Sequence, residues 1–142
     1  MNSLSEYITK EICLGDWGVD EDAKYRCVLY IPQGKAVEVI SARLGADTDT
    51  AVHNTTYNTF YLQKNDKSAA TAVICSLANG PTSGGIAINQ TPVAMSAPTA
   101  AYKVVGSSSA ATYIYFGSVK TSTGQAVPSL MLILEYRYVP VT

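Results

Sequence analysis

The chain has 142 residues, ten Lys/Arg against eleven Asp/Glu, and a formal net charge of −1. That is one domain's worth of chain, long enough to bury a core without staples, and its near-neutral balance argues against a protein held on nucleic acid by charge. Charged residues are 15% of the total, where about 25% is usual, and ten tyrosines accompany two Phe and one Trp. Low charge with many small residues and Tyr describes a surface largely covered by neighbours.

No apolar run approaches the ~18 residues of a membrane span, and "MNSLSEYITKE" has no signal-peptide pattern. The expectation is a protein made in a cytoplasm, off the membrane. Cys13, Cys27 and Cys75 are odd in number and have no metal-like spacing. They read as reduced and mostly buried thiols, and the sequons at Asn54 and Asn89 read as chance matches.

In chain order, residues 1–22 read as an N-terminal arm with an acidic linker, "GDWGVDED". Ser3 and Glu6 fit a capping box. Leu4, Ile8 and Ile12 follow at i, i+4 and i+8, one apolar edge of a short helix. A flexible tail is the other reading of this segment.

From residue 23 the pattern becomes β. "AKYRCVLYI" places Tyr25, Cys27, Leu29 and Ile31 on one face, before Pro32-Gln33-Gly34 breaks it. "KAVEVISARL" alternates with a slip: Val37 and Val39 share a side, then Ile40, Ala42 and Leu44 share the other, as at a β-bulge. A polar loop precedes "TFYLQ", where Phe60 and Leu62 share a face. "ATAVICSL" is nearly continuous in apolar and small residues, like a strand buried on both sides. Short pieces lie between Gly, Pro and Ser breaks up to "ATYIYFGSV", rich in β-formers.

The last segment, "SLMLILEYRYV", alternates strictly: Leu130, Leu132, Leu134, Tyr136 and Tyr138 face one way, Met131, Ile133, Glu135, Arg137 and Val139 the other. Its placement in the centre of a sheet is expected. About eight strands at short spacing predict an all-β, two-sheet β-sandwich, jelly-roll-like, with a short N-terminal arm or helix.

Catalytic material is sparse. His53 is the single histidine and sits in no motif, so it reads as solvated or interfacial. Asp47 and Asp49 lack the spacing of a calcium loop. Glu38 and Glu135 lie on strands, where a glycosidase pair is conceivable and a solvated carboxylate is the usual case. No cofactor or metal is expected. The tyrosine pairs Tyr113/Tyr115 and Tyr136/Tyr138 suit cross-strand packing, a subunit contact or sugar stacking.

The run "YIPQGKAVEVISARLGADTDTAVHNTTYNTFYLQKNDKS" resembles small β-sandwich proteins of tailed-phage virions. In these a Pro/Gly turn leads to a strand, a Thr/Asp-rich loop and an Asn/Asp turn. The Ala/Ser/Thr/Gly-rich remainder and the closing "LMLILEYRYVPV" are similar to head decoration (cement) proteins. The resemblance implies a non-enzymatic protein on the capsid surface that bridges major capsid proteins as a small homo-oligomer, a trimer by preference. The contact residues expected on this basis are Leu4, Ile8, Ile12, Tyr113, Tyr115, Tyr136 and Tyr138. Deletion of Met1–Ile12 is then expected to weaken assembly and spare the β-fold. The alternatives are a carbohydrate- or receptor-binding sandwich, which would use the same tyrosines, and a neck or tail component of the virion.

Overall fold

A computed structural model describes residues 6–17, 24–47, 57–64, 72–78, 80, 88–121 and 126–141. Among these residues nine strands run in chain order: β1 (Ile8–Trp17), β2 (Lys24–Ile31), β3 (Lys35–Gly45), β4 (Tyr57–Lys64), β5 (Val73–Ala78), β6 (Val93–Ala94), β7 (Val104–Ser107), β8 (Thr112–Thr121) and β9 (Val127–Val139). They form two antiparallel sheets. Sheet A is ordered β1-β9-β3-β6 with β7 also on β3, and sheet B is ordered β2-β8-β4-β5.

The pairings are nested. β1 pairs with β9, β2 with β8, β3 with β7 and β4 with β5. One long antiparallel ribbon has therefore been rolled into two layers, which is the jelly roll expected from the sequence. Nine segments fill eight positions, because β6 and β7 share the place beside β3. β6 lies opposite Arg43 and Leu44, and β7 opposite Lys35–Glu38.

The first expectation to fail is the N-terminal helix or arm. Residues 8–17 are a strand of the sandwich, paired to β9 from Ile8↔Tyr136 to Trp17↔Val127. Ser3 and Leu4 lie outside the described residues. Ile8 and Ile12 pack against the chain's own core. A spacing of four suits a strand as well as a helix, since both positions then fall on one face. The edge of β9, with its N–H and C=O groups to satisfy, selects the strand.

Period-two faces place the core. Phe60, Leu62, Ile114, Phe116, Leu130, Leu132 and Leu134 are all fully buried between the sheets. Each leucine of β9 so buried contributes about 1.5–3 kcal/mol. Trp17 reaches from β1 across to sheet B. Its ring meets Phe116 and Phe60 edge-on at 5.5 and 6.2 Å, and its indole N–H donates to Ser118 Oγ at 2.7 Å.

The phase slip in β3 is real: the register shifts between Val39 and Ser41. It coincides with the point where the chain leaves β3's flank between β6 and β7. That excursion crosses to sheet B, where Ser96 N–H donates to Ser76 O and Thr99 N–H to Ile74 O. It thereby covers β5, an edge strand whose Ile74, Cys75 and Leu77 are all buried.

β2 departs from its expected face. A bulge between Cys27 and Leu29 turns Tyr25 and Cys27 outward while Leu29 and Ile31 point into the core. After β2, Lys35 N–H donates to Pro32 O at 3.1 Å, with Gly34 at φ +84°. This is a tight turn that needs the left-handed conformation, and it carries the chain from sheet B to sheet A.

The remaining edges, β1 and β2, hold each other. Lys10 Nζ donates to Val28 O at 3.0 Å, and the Arg26 guanidinium donates to Leu14 O while lying 5.3 Å from the Trp17 ring centroid. Each edge strand so ties down the other with a basic side chain, which also blunts it against strand addition. The described residues contain no helix long and apolar enough to cross a membrane.

Candidate functional site

The two outer faces of the sandwich differ in chemistry. Cross-strand partners share a face, so the register assigns every outward position of sheet B. Six of them are tyrosines: Tyr25 and Tyr30 on β2, Tyr113 and Tyr115 on β8, Tyr57 and Tyr61 on β4. The other outward strand positions are Cys, Gly, Val, Thr, Gln, Ser and Ala, with no charged side chain. Tyr30 faces Tyr113 with ring centroids 5.4 Å apart, and Tyr113 stacks on Tyr115 at 6.0 Å. Tyr25 occupies space that a side chain at Gly117 would take, since a Cβ there would stand 2.0 Å from its ring.

The outer face of sheet A is charged. Glu38 accepts from Arg137 Nε at 2.9 Å, and its carboxylate lies 2.7 Å from Arg137 Nη2 and 3.1 Å from Lys103 Nζ. Hydrogen bonds from Arg137 and then Lys103 hold the Glu38 carboxyl below its usual value of 4.5. The Arg137 guanidinium lies 5.9 Å from the Tyr7 ring centroid, within cation–π range. Tyr7 is 57% exposed, and Val104, opposite Glu38, is 40% exposed. Glu135 accepts from Ser41 Oγ at 3.2 Å on the same face.

That geometry bears on the two strand glutamates. A glycosidase acid needs a raised carboxyl pKa, and Glu38 has the opposite. Its charge gives a pH dependence with a definite sign. A depressed native value means the ion triad stabilises the fold above pH ~4.5 and that this contribution is lost as pH falls through the native value. Urea unfolding of Glu38→Gln against pH is therefore expected to show lower stability than wild type near neutrality and a shallower decline on acidification. Parallel curves would remove the triad from the account of stability.

A cleft of ≈360 Å³ opens at the end of sheet A, lined by Cys13, Met131, Ser129, Asp47 and Gln90 among others. Two bulges shape it, one in β1 before Gly15 and a compensating one in β9. Gly15 has φ +76° and Ser129 φ +49°, and Asp16 Oδ1 accepts the Ser129 N–H at 2.9 Å. Asp47 contributes its backbone carbonyl to Gln90 Nε2 at 2.7 Å. Asp49 and His53 lie outside the described residues. No group of three or more His, Cys, Asp or Glu is gathered among the described residues. The cysteines are not mostly buried as expected: Cys13 and Cys27 lie exposed on strands, and only Cys75 is in the core, where burial pushes its thiol up to about 12.

The expected contact tyrosines divide. Tyr113 and Tyr115 lie on the outer face of sheet B. Tyr136 is 7% exposed and belongs to the core, with its phenol shifted upward by burial, while Tyr138 beside it is 37% exposed at the rim. Sequence reasoning missed Tyr25, Tyr30, Tyr57 and Tyr61 as companions of Tyr113. A signal did exist for Tyr136: it is in phase with Leu130, Leu132 and Leu134, whereas Tyr113 is out of phase with Ile114 and Phe116.

Compared with known proteins, the chain matches no family model, no curated protein and no solved structure.

Proposed function

We propose that this chain is a non-enzymatic structural protein of a tailed-phage virion, seated on the capsid and bridging neighbouring major capsid proteins. The observation that carries the reading is the patch on sheet A, where exposed Tyr7 and Val104 flank the Glu38–Arg137–Lys103 triad. Tyr and Arg set in a rigid surface are the side chains that dominate protein contacts. A stapled jelly roll supplies the rigid body, and jelly rolls serve in viral capsid domains among other roles. Repetition of one modest contact over many symmetric capsid sites then sums to firm attachment.

The test is co-sedimentation of the purified protein with assembled capsids that lack it, alongside its solution mass by light scattering. Saturable binding and a closed oligomer, a trimer by preference, are expected. The double variant Tyr7→Ala/Val104→Ala is expected to lower affinity at least about tenfold while its thermal midpoint falls by only a few degrees, because both side chains are exposed. Absence of wild-type binding, or unchanged occupancy by the variant, would reject the reading.

A further inference from the structure

The tyrosines of sheet B have no part in that contact. Tyr30 is 54% exposed, and the core beneath its strand is filled by Leu29 and Ile31, so folding does not require an aromatic ring there. Its ring is tilted 57° from that of Tyr113, and the planes of Tyr113 and Tyr115 differ by 27°. The result is a ladder of three rings crossing from β2 to β8. Gln63 lies directly opposite Tyr115 and Ser76 opposite Tyr61 on the same face. The neighbours of the rings on this face are therefore uncharged: Thr59 and Ser76 are half-buried and end in hydroxyls, while Gln63 is itself fully buried.

That combination selects among ligands. Nucleic acid and phosphorylated ligands require cations, and no outward strand position of sheet B carries one. A lipid surface requires Trp, Phe or Leu with a basic rim, and these too are absent from the outward positions. A pyranose ring presents an apolar C–H face and a rim of uncharged hydroxyls, the complement of a tyrosine ladder with hydroxyl neighbours. We infer that the outer face of sheet B binds an uncharged oligosaccharide, whose successive sugar rings stack on Tyr30, Tyr113 and Tyr115. This platform is independent of the capsid reading, since failure of either leaves the other standing.

The experiment is isothermal titration of the purified chain with a panel of neutral hexasaccharides, cellohexaose and maltohexaose among them, and with hexagalacturonic acid as the charged control. Binding of a neutral hexasaccharide without binding of the acid is expected. Tyr30→Ala and Tyr113→Ala are each expected to weaken it at least about tenfold, and Tyr113→Phe, which keeps the ring, by less than about threefold. Tyr30→Ala alters an exposed side chain, so its folded state provides the control for Tyr113→Ala. Failure of every neutral hexasaccharide to bind, or binding that survives both alanine variants, would overturn the inference. So would a change of solution mass in Tyr30→Ala, which would make the face a contact between copies.

Discussion

Replacing Trp17 by alanine is expected to remove about 3–5 kcal/mol of stability, a large part of the roughly 5–15 kcal/mol that holds a domain of this size. The reason is position. Trp17 ends β1 in sheet A, yet its ring is set among Phe60 and Phe116 of sheet B and its N–H is spent on Ser118. It also carries the Arg26 guanidinium that reaches back to Leu14. Truncation thus opens a cavity between the layers and loosens an edge at once. Trp17→Phe keeps most of the packing and loses the hydrogen bond, so its cost is expected to be smaller, about 1–2 kcal/mol. Urea unfolding followed by far-UV circular dichroism separates the two. A Trp17→Ala loss below about 1 kcal/mol would mean that this ring is not part of the structural core.

Deletion of Met1–Ile12 is expected to abolish cooperative folding or lower the thermal midpoint by roughly 10 °C or more, since a few kcal/mol is worth that much in a domain of this length. The arm expected from the sequence would have been dispensable. The strand is not. Residues 8–12 occupy the edge of β9 from Tyr136 to Leu132. Their removal leaves that backbone edge unpaired and uncovers the flank of Leu132 and Leu134, while the Lys10–Val28 tie is lost as well. A truncated chain that melts within a few degrees of wild type would restore the arm and displace β1 from the account of stability.

Much of the architecture was legible because a strand's side chains alternate with period two. β9 could be read residue by residue for which side chains share a face, since ten alternating positions leave one consistent pattern; which face is buried came from the pairing, because the first half is apolar on both sides. The slip at Val39–Ile40 could be read for the same reason: a bulge inserts one residue and inverts the phase. The bulge in β2 escaped notice because Tyr25, Cys27, Leu29 and Ile31 are all apolar enough to pass as one continuous face. Only the pairing of β2 with β8 reveals that the first two lie on the outer face of sheet B.

The N-terminal segment shows the limit most clearly. Leu4, Ile8 and Ile12 satisfy a helix and a strand equally, because a spacing of four keeps one face in both. Local sequence thus left two states open, and the free edge of β9 chose between them by supplying hydrogen-bond partners that a short helix would have left without use. The same holds for the surface. Alternation alone places Tyr113 and Tyr115 together. It cannot bring Tyr30, Tyr25, Tyr57 and Tyr61 beside them, since those lie on strands far apart in the chain and meet only through the register of sheet B. Nor can it bring Glu38, Lys103 and Arg137 into one triad, which depends on β9 and β7 both lying against β3. The sequence by itself determined the all-β class, the alternating faces of the strands and the weakly charged, tyrosine-rich composition, all of which follow from local spacing and side-chain chemistry. The tertiary structure alone decided which strand edges are closed and which side chains meet on each outer face, because those depend on contacts between residues remote in the chain.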